Sequence, residues 1–263
     1  MRQVQAGSAV ISYLEAGQGA PVVLLHGIGS AARSFQDQID GLSDHYQVIA
    51  WDAPGYGDSG CLAAETPSAG DYAAALAGLL DVLHIPNCHL LGHSLGSLMA
   101  ARFAADYPDR VLTLTLSSIA VGHAALPEEE RHKLLEQRLG DVATLGPRGM
   151  AEKRGPRLLG PDATPNMVQR VVDTMGAVSP AGYAQAARML SLGNVKADVA
   201  RLPASLPMQI IYGDADVITP PARNREVAAL RPEAPVHVIP RAGHALYLEK
   251  PDRFNTILRD FLR

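Results

Sequence analysis

Gly92-His93-Ser94-Leu95-Gly96 lies between a short apolar run, Cys88-His89-Leu90-Leu91, and an alanine-rich stretch, Ser97 to Tyr107, that Pro108 ends. A chain that passes from strand to helix within five residues must turn sharply. Glycines on either side of Ser94 remove the Cβ atoms that would collide with the neighbouring strand or helix. The pattern predicts a serine in strained backbone geometry, its hydroxyl raised above a sheet, with the free N–H groups of a helix N-terminus aimed at the same point. Gly-x-Ser-x-Gly alone is a weak signal, and its place between strand and helix gives it weight.

The same alternation of strand and helix runs through most of the 263 residues. Around Gln3-Val4 and over Ala9 to Leu14 the chain reads as a hairpin at a sheet edge. Pro21 to Leu25 and Gln47 to Asp52 are continuous apolar runs of strand length, as strands buried on both faces require. Further strands are expected at Val111 to Ser118, Met208 to Gly213 and Val236 to Ile239. Helices are expected from Asp71 to His84, where Tyr72, Leu76, Leu79, Leu80 and Leu83 share a face, and from about Pro221 to Leu230 and Pro251 to Leu262. Asp52 to Gly60, with three glycines and a proline, reads as a tight loop. These elements predict an α/β fold with a mostly parallel central sheet and helices on both faces.

Between about residues 120 and 202 the pattern changes to helical stretches rich in Arg, Glu, Met and Leu, punctuated by prolines from Pro127 to Pro180. We expect a helical cap inserted into one core domain, the core comprising residues 1–119 and 203–263 and the cap 120–202.

A serine hydroxyl is a poor nucleophile at neutral pH and needs a base, which in turn needs an orienting carboxylate. Only His237 and His244 follow the insertion. His237 falls inside a strand, whereas His244 lies in a loop between the last strand and the last helix, at the carboxyl edge of the sheet. The loop after Ile210-Ile211-Tyr212 offers two acids, Asp214 and Asp216. Asp216, farther into the loop, is better placed to reach His244, and Asp214 at the strand exit is expected to cap the turn. His26-Gly27-Ile28-Gly29 has the form of a loop whose amides face a developing oxyanion, and the two donors are assigned to Ile28 and Leu95. His26 itself reads as a structural hydrogen-bonding residue.

Twenty-three Lys and Arg against 27 Asp and Glu give a formal charge of -4 with no basic stripe, so a nucleic acid partner is not expected. No apolar run approaches the ~20 residues of a membrane span and the N-terminus lacks the apolar core of a signal peptide, so a cytoplasmic protein is expected. Cys61 and Cys88 are expected to be reduced, and no Cys-x-x-Cys or His-x-x-x-His spacing suggests a metal site. The serine, histidine and aspartate imply no metal or organic cofactor.

In their order, His26-Gly27-Ile28-Gly29, Asp52 to Ser59, the Ser94 pentapeptide, and the pair Asp216 to Pro220 and Gly243-His244 with Glu249-Lys250-Pro251 resemble the α/β-hydrolase superfamily. The resemblance covers nearly the whole chain outside the insertion. It implies the α/β-hydrolase fold with Ser94 as nucleophile, His244 as base and Asp216 as acid, since the superfamily's acid precedes a short apolar-x-Pro step. Gly149-Met150-Ala151 and Ser179 to Tyr183 look most like the bacterial carboxylesterases and 3-oxoadipate enol-lactonases. The chain is also similar to C–C hydrolases of ring-fission dienones, but carries Ala245 and His93 where those usually have Trp and Asn. Ser94 argues against the haloalkane dehalogenases and epoxide hydrolases, whose nucleophile is a carboxylate.

The resemblance implies hydrolysis of a small-molecule ester or lactone through an acyl-enzyme. C–C cleavage of a dienone is the alternative, and a noncatalytic small-molecule receptor is the alternative of another class. Oligomeric state is not legible. Among the basic residues of the insertion, Arg188, next to Met189-Leu190, is the candidate for holding a substrate carboxylate.

Overall fold

A computed structural model describes residues 1–7 and 9–263. The chain opens with an antiparallel hairpin, β1 (Arg2–Ala6) and β2 (Ala9–Ala16). There follow β3 (Ala20–Leu25), β4 (Tyr46–Trp51), β5 (Cys88–His93), β6 (Val111–Ser117), β7 (Met208–Gly213) and β8 (Val236–Ile239). The order across the sheet is β1-β2-β4-β3-β5-β6-β7-β8. β2 meets β4 antiparallel and every later pairing is parallel.

Successive strand residues face opposite sides of a sheet, so a continuous apolar run supplies two cores at once. Val23, Leu25, Leu90 and Ile210 join one core with the apolar faces of α2 (Ala69–Val82) and α3 (Leu95–Asp106). Val22, Leu24, Leu91 and Ile211 join the other with α1 (Gln36–Leu42) and α10 (Pro251–Phe261). The predicted fold class is the observed one. Ser68 starts α2 with a capping box, its hydroxyl taking the Asp71 N–H while the Asp71 carboxylate takes the Ser68 N–H.

α1 is the element without a sequence signal. Ile39 and Leu42 are its only large apolar residues, and Gln38 is buried with its Nε2 donating to the Tyr247 carbonyl. Its burial comes from distant chain rather than from periodicity.

Between β6 and β7 the chain leaves the sheet for α4 (Glu128–Arg154), α5 (Pro165–Met175), α6 (Pro180–Leu192) and α7 (Val195–Val199). Two of the prolines that punctuate this stretch are helix starts. Pro165 and Pro180 occupy first helical turns, where the missing N–H costs nothing, behind the side-chain caps Thr164 and Ser179. α4 is kinked where Gly146 takes φ 66° ahead of Pro147. The inserted helices dock on the sheet layer backbone to backbone. A Cβ on Gly182, in the first turn of α6, would strike the Gly55 carbonyl, and Gly55 itself takes φ +86°. Arg170–Asp37 and the Gln185 amide, bonded to Leu62 and Ala64, add polar ties.

The remaining elements are α8 (Pro221–Ala228), after β7, and the single turn α9 (Leu246–Glu249), after β8. No helix among the described residues is long and apolar enough to cross a membrane.

Candidate active site

β5 runs straight into α3 through Ser94, which takes φ 54° and ψ −117°. A non-glycine residue there stores about 1–3 kcal/mol of backbone strain, which persists only where the surroundings fix it. They do so by close approach. A Cβ on Gly92 would run into the Gly96 carbonyl and the Ala100 methyl, and one on Gly96 would run into the Leu25 carbonyl of β3. The Ser94 N–H is held by the Ser117 carbonyl at the end of β6, 2.8 Å away.

The loops after β7 and β8 bring Asp216 and His244 to the same edge. Asp216 is 2% exposed and accepts four hydrogen bonds. Its Oδ1 takes the Ile218 and Thr219 amides at 2.8 and 2.9 Å, and its Oδ2 takes the Thr219 hydroxyl at 2.8 Å and His244 Nδ1 at 2.9 Å. Burial pushes the Asp216 carboxyl up, but the His244 ring and the Thr219 donors outweigh it and hold the group well below its usual range. With Nδ1–H given to Asp216, the lone pair of neutral His244 sits on Nε2. Both His244 and Ser94 line one cavity, and among the described residues no hydrogen bond joins Ser94 Oγ to the ring.

Asp214 is exposed and accepts the Arg241 N–H, so it caps the loop after β8 and not its own turn. Glu249 holds that same loop from below, accepting the Gly243 N–H at 2.8 Å and the Gly160 N–H of the inserted region at 2.6 Å. His237 lies within β8, half-buried and away from the cavity.

His26 has both ring nitrogens engaged. Nδ1–H donates to the Gly27 carbonyl at 2.8 Å and Nε2 accepts the Ala53 N–H at 3.0 Å, which fixes a neutral tautomer that burial favours. Asp52 secures the same junction by accepting the Ala32 N–H and the Ser12 hydroxyl. Gly27 then passes so close to Ser94 that its Cβ would lie 2.9 Å from the Ser94 Cβ. Ile28 and Leu95 follow in the cavity wall, and neither amide has a partner among the described residues. Leu95 opens α3, so its N–H has no carbonyl one turn back to bond.

The sequence profile of the alpha/beta hydrolase fold family matches residues 20–251. The chain belongs to that family. Among relatives, a 2-hydroxy-6-oxononadienedioate/2-hydroxy-6-oxononatrienedioate hydrolase from Burkholderia vietnamiensis is 28% identical, the alignment covering 96% of this chain and 91% of that one. Among solved structures, a thermophilic esterase from Thermogutta terrifontis superposes with TM-score 0.90 at 27% identity over 100% of this chain and 98% of that one. The enol-lactonase from Burkholderia xenovorans LB400 also gives 0.90, at 22% identity over 99% of both chains.

Two groups in this α/β hydrolase were not legible as site residues. Thr219 braces Asp216 and comes within 3.2 Å of His244 Nδ1, and Asn224 of α8 fixes it by donating to the Thr219 carbonyl while accepting the Ile119 N–H. An Asp followed three residues later by Thr was the available signal, being the spacing of a local side-chain turn. His93 is buried against His244 and Tyr247, with ring centroids 4.9 and 4.8 Å away. Burial first, and the neighbouring His244 next, hold its pKa well below the ordinary value, so the ring is neutral.

Arg188 is not brought to the site. It lines a separate depression and reaches the Glu65 carbonyl and carboxylate. The face of α6 that carries Met189 and Leu190 is turned into the core, which sends Arg188 outward. The cavity that Ser94 and His244 line, about 250 Å³ and of small-molecule size, receives its cations from elsewhere: Arg138, Arg154, Arg157 and, from α8 outside the insertion, Arg223.

Proposed function

We propose that the chain is a serine hydrolase of small-molecule carboxylic esters or lactones, acting through an acyl-enzyme. Ser94 is the nucleophile, His244 the base and Asp216 the acid. The observation that carries this reading is the 2.9 Å bond from His244 Nδ1 to Asp216, which leaves Nε2 as the basic nitrogen in the cavity that holds Ser94. His244 Nε2 takes the Ser94 proton as Oγ attacks the carbonyl carbon, the two closing to hydrogen-bond distance as substrate fills the site. The Ile28 and Leu95 amides receive the oxyanion, for which they have no competing partner. His244 returns the proton to the leaving alcohol or enol oxygen. Water then enters by the same route, and Asp216 stabilises the imidazolium at each step. Residues 120–202 act as a cap on the core formed by 1–119 and 203–263, closing the cavity from above and supplying part of its wall.

The test is hydrolysis of p-nitrophenyl esters and an enol-lactone by wild type and by Ser94→Ala. Turnover is expected to fall at least about 10⁴-fold in the variant. Normal turnover by folded Ser94→Ala would sink the assignment, and selective cleavage of a ring-fission dienone would replace ester hydrolysis by C–C hydrolysis.

A further inference from the structure

Arg138, Arg154, Arg157 and Arg223 line the cavity with Ser94 and His244, and no aspartate or glutamate lines it. Arg154 is neutralised by Asp141, which also takes Lys153. Arg138, Arg157 and Arg223 are in no ion pair among the described residues, and the one acid of α8, Glu226, is held by Lys196. Elsewhere on the inserted helices Arg131 and Lys133 of α4 are likewise in no ion pair among the described residues, while other cations are paired. Arg148 pairs with Glu152 and Asp173, Arg170 with Asp37, and Arg188 with Glu65. His123 lines the same cavity. Burial first, then the charges of Arg138 and Arg223, push its pKa down to about 4, so both guanidiniums bear on one neutral ring.

Arg138 is half-buried and Arg223 exposed, so water screens part of their mutual repulsion, and no carboxylate of the cavity wall offsets the rest. A chain with 27 acidic residues that places none of them here leaves the counter-charge to the ligand. Guanidinium forks present paired N–H donors to planar oxyanions, and a neutral imidazole adds a single N–H. That set can take a carboxylate in paired N–H bonds.

We propose that Arg138, Arg223 and His123 form an anion subsite of the catalytic cavity, and that the substrate is an ester or lactone bearing a carboxylate away from the scissile bond. The substrate class rests on the serine-hydrolase reading, while anion binding by these residues does not.

The two are separated by measuring binding in a protein that cannot turn over. Calorimetric titration of Ser94→Ala with glutarate is expected to show binding, at least about tenfold weaker after Arg138→Gln or Arg223→Gln and unchanged after Arg188→Gln. Arg138→Lys and Arg223→Lys, which keep the charge and lose the fork, should fall between. Glutarate binding no tighter than pentanamide, or equal binding by all variants, overturns the subsite.

For the substrate class, wild type is given p-nitrophenyl hydrogen glutarate against p-nitrophenyl pentanoate, and 4-acetoxybenzoate against phenyl acetate. One anionic ester is expected to exceed its neutral match at least about tenfold in kcat/KM, with the advantage lost through KM in the Arg138 and Arg223 variants. Preference for neither overturns the carboxylate-bearing substrate. Turnover that does not depend on Ser94 refutes the hydrolase reading and leaves the calorimetric result to stand on its own.

Discussion

Thr219→Val replaces one hydroxyl by a methyl of the same shape and removes one of the four hydrogen bonds that Asp216 accepts. A hydrogen bond to a charged acceptor is worth about 1.5–3 kcal/mol when its partner is lost in a buried site. Three donors remain, so we take the low end, about 1.5 kcal/mol in the barrier, which is roughly a tenfold loss of kcat with KM little changed. Asp216→Ala, which removes the acceptor of His244 itself, should cost about 10⁴-fold. Thr219→Ser, which restores the hydroxyl, should recover most of the rate. Stability gives an independent check. Asp216 is held below its ordinary pKa, so its contribution is complete above about pH 4 and is lost as pH falls through the folded-state value. Removing the Thr219 donor raises that folded-state value, so the variant should be less stable at pH 7 and the gap should close in strong acid. Steady-state kinetics and urea unfolding at several pH values measure both. A Thr219→Val enzyme with wild-type kcat would refute the bracing role.

His93 is buried and neutral when folded but takes a proton near pH 6.5 when unfolded, so stability should fall as pH drops below that value. His93→Asn is expected to flatten this slope by up to about 1.4 kcal/mol per pH unit, read from urea midpoints at pH 7 and 5.5; an unchanged slope would count against it. Gly182→Ala forces a methyl into the Gly55 carbonyl and should lower stability by about 1–3 kcal/mol, seen as a drop in thermal midpoint of several degrees. Ser94→Gly should be about 1 kcal/mol more stable than Ser94→Ala, because glycine relaxes φ 54° whereas alanine does not. Equal midpoints for those two variants would show that the turn is not strained.

β3, β4, β5 and β7 were legible because each is an apolar run feeding two cores, as Val22 to Leu25 shows residue by residue. The Ser94 turn was legible for a similar local reason: the glycines that permit it lie within two residues of it. His244 and Asp216 could be chosen because both follow a strand into a loop at the same sheet edge. Their bond, however, closes across 28 residues and is set by β7 lying beside β8, with Ala215 N–H on the Ala242 carbonyl. α1 stayed hidden because its stability comes from partners such as Tyr247, 209 residues away. Charge was the least legible property. A basic insertion is visible in the sequence, but helix rotation decides which cations face the cavity. The packing of Met189 and Leu190 sends Arg188 to Glu65, while α8, outside the insertion, delivers Arg223. The sequence by itself thus determined the sheet, the strained serine and the loops that carry His244 and Asp216, because these follow from periodicity and local sterics. Only the tertiary structure decided the cavity's charge, because electrostatic surroundings depend on distances between side chains far apart in the chain.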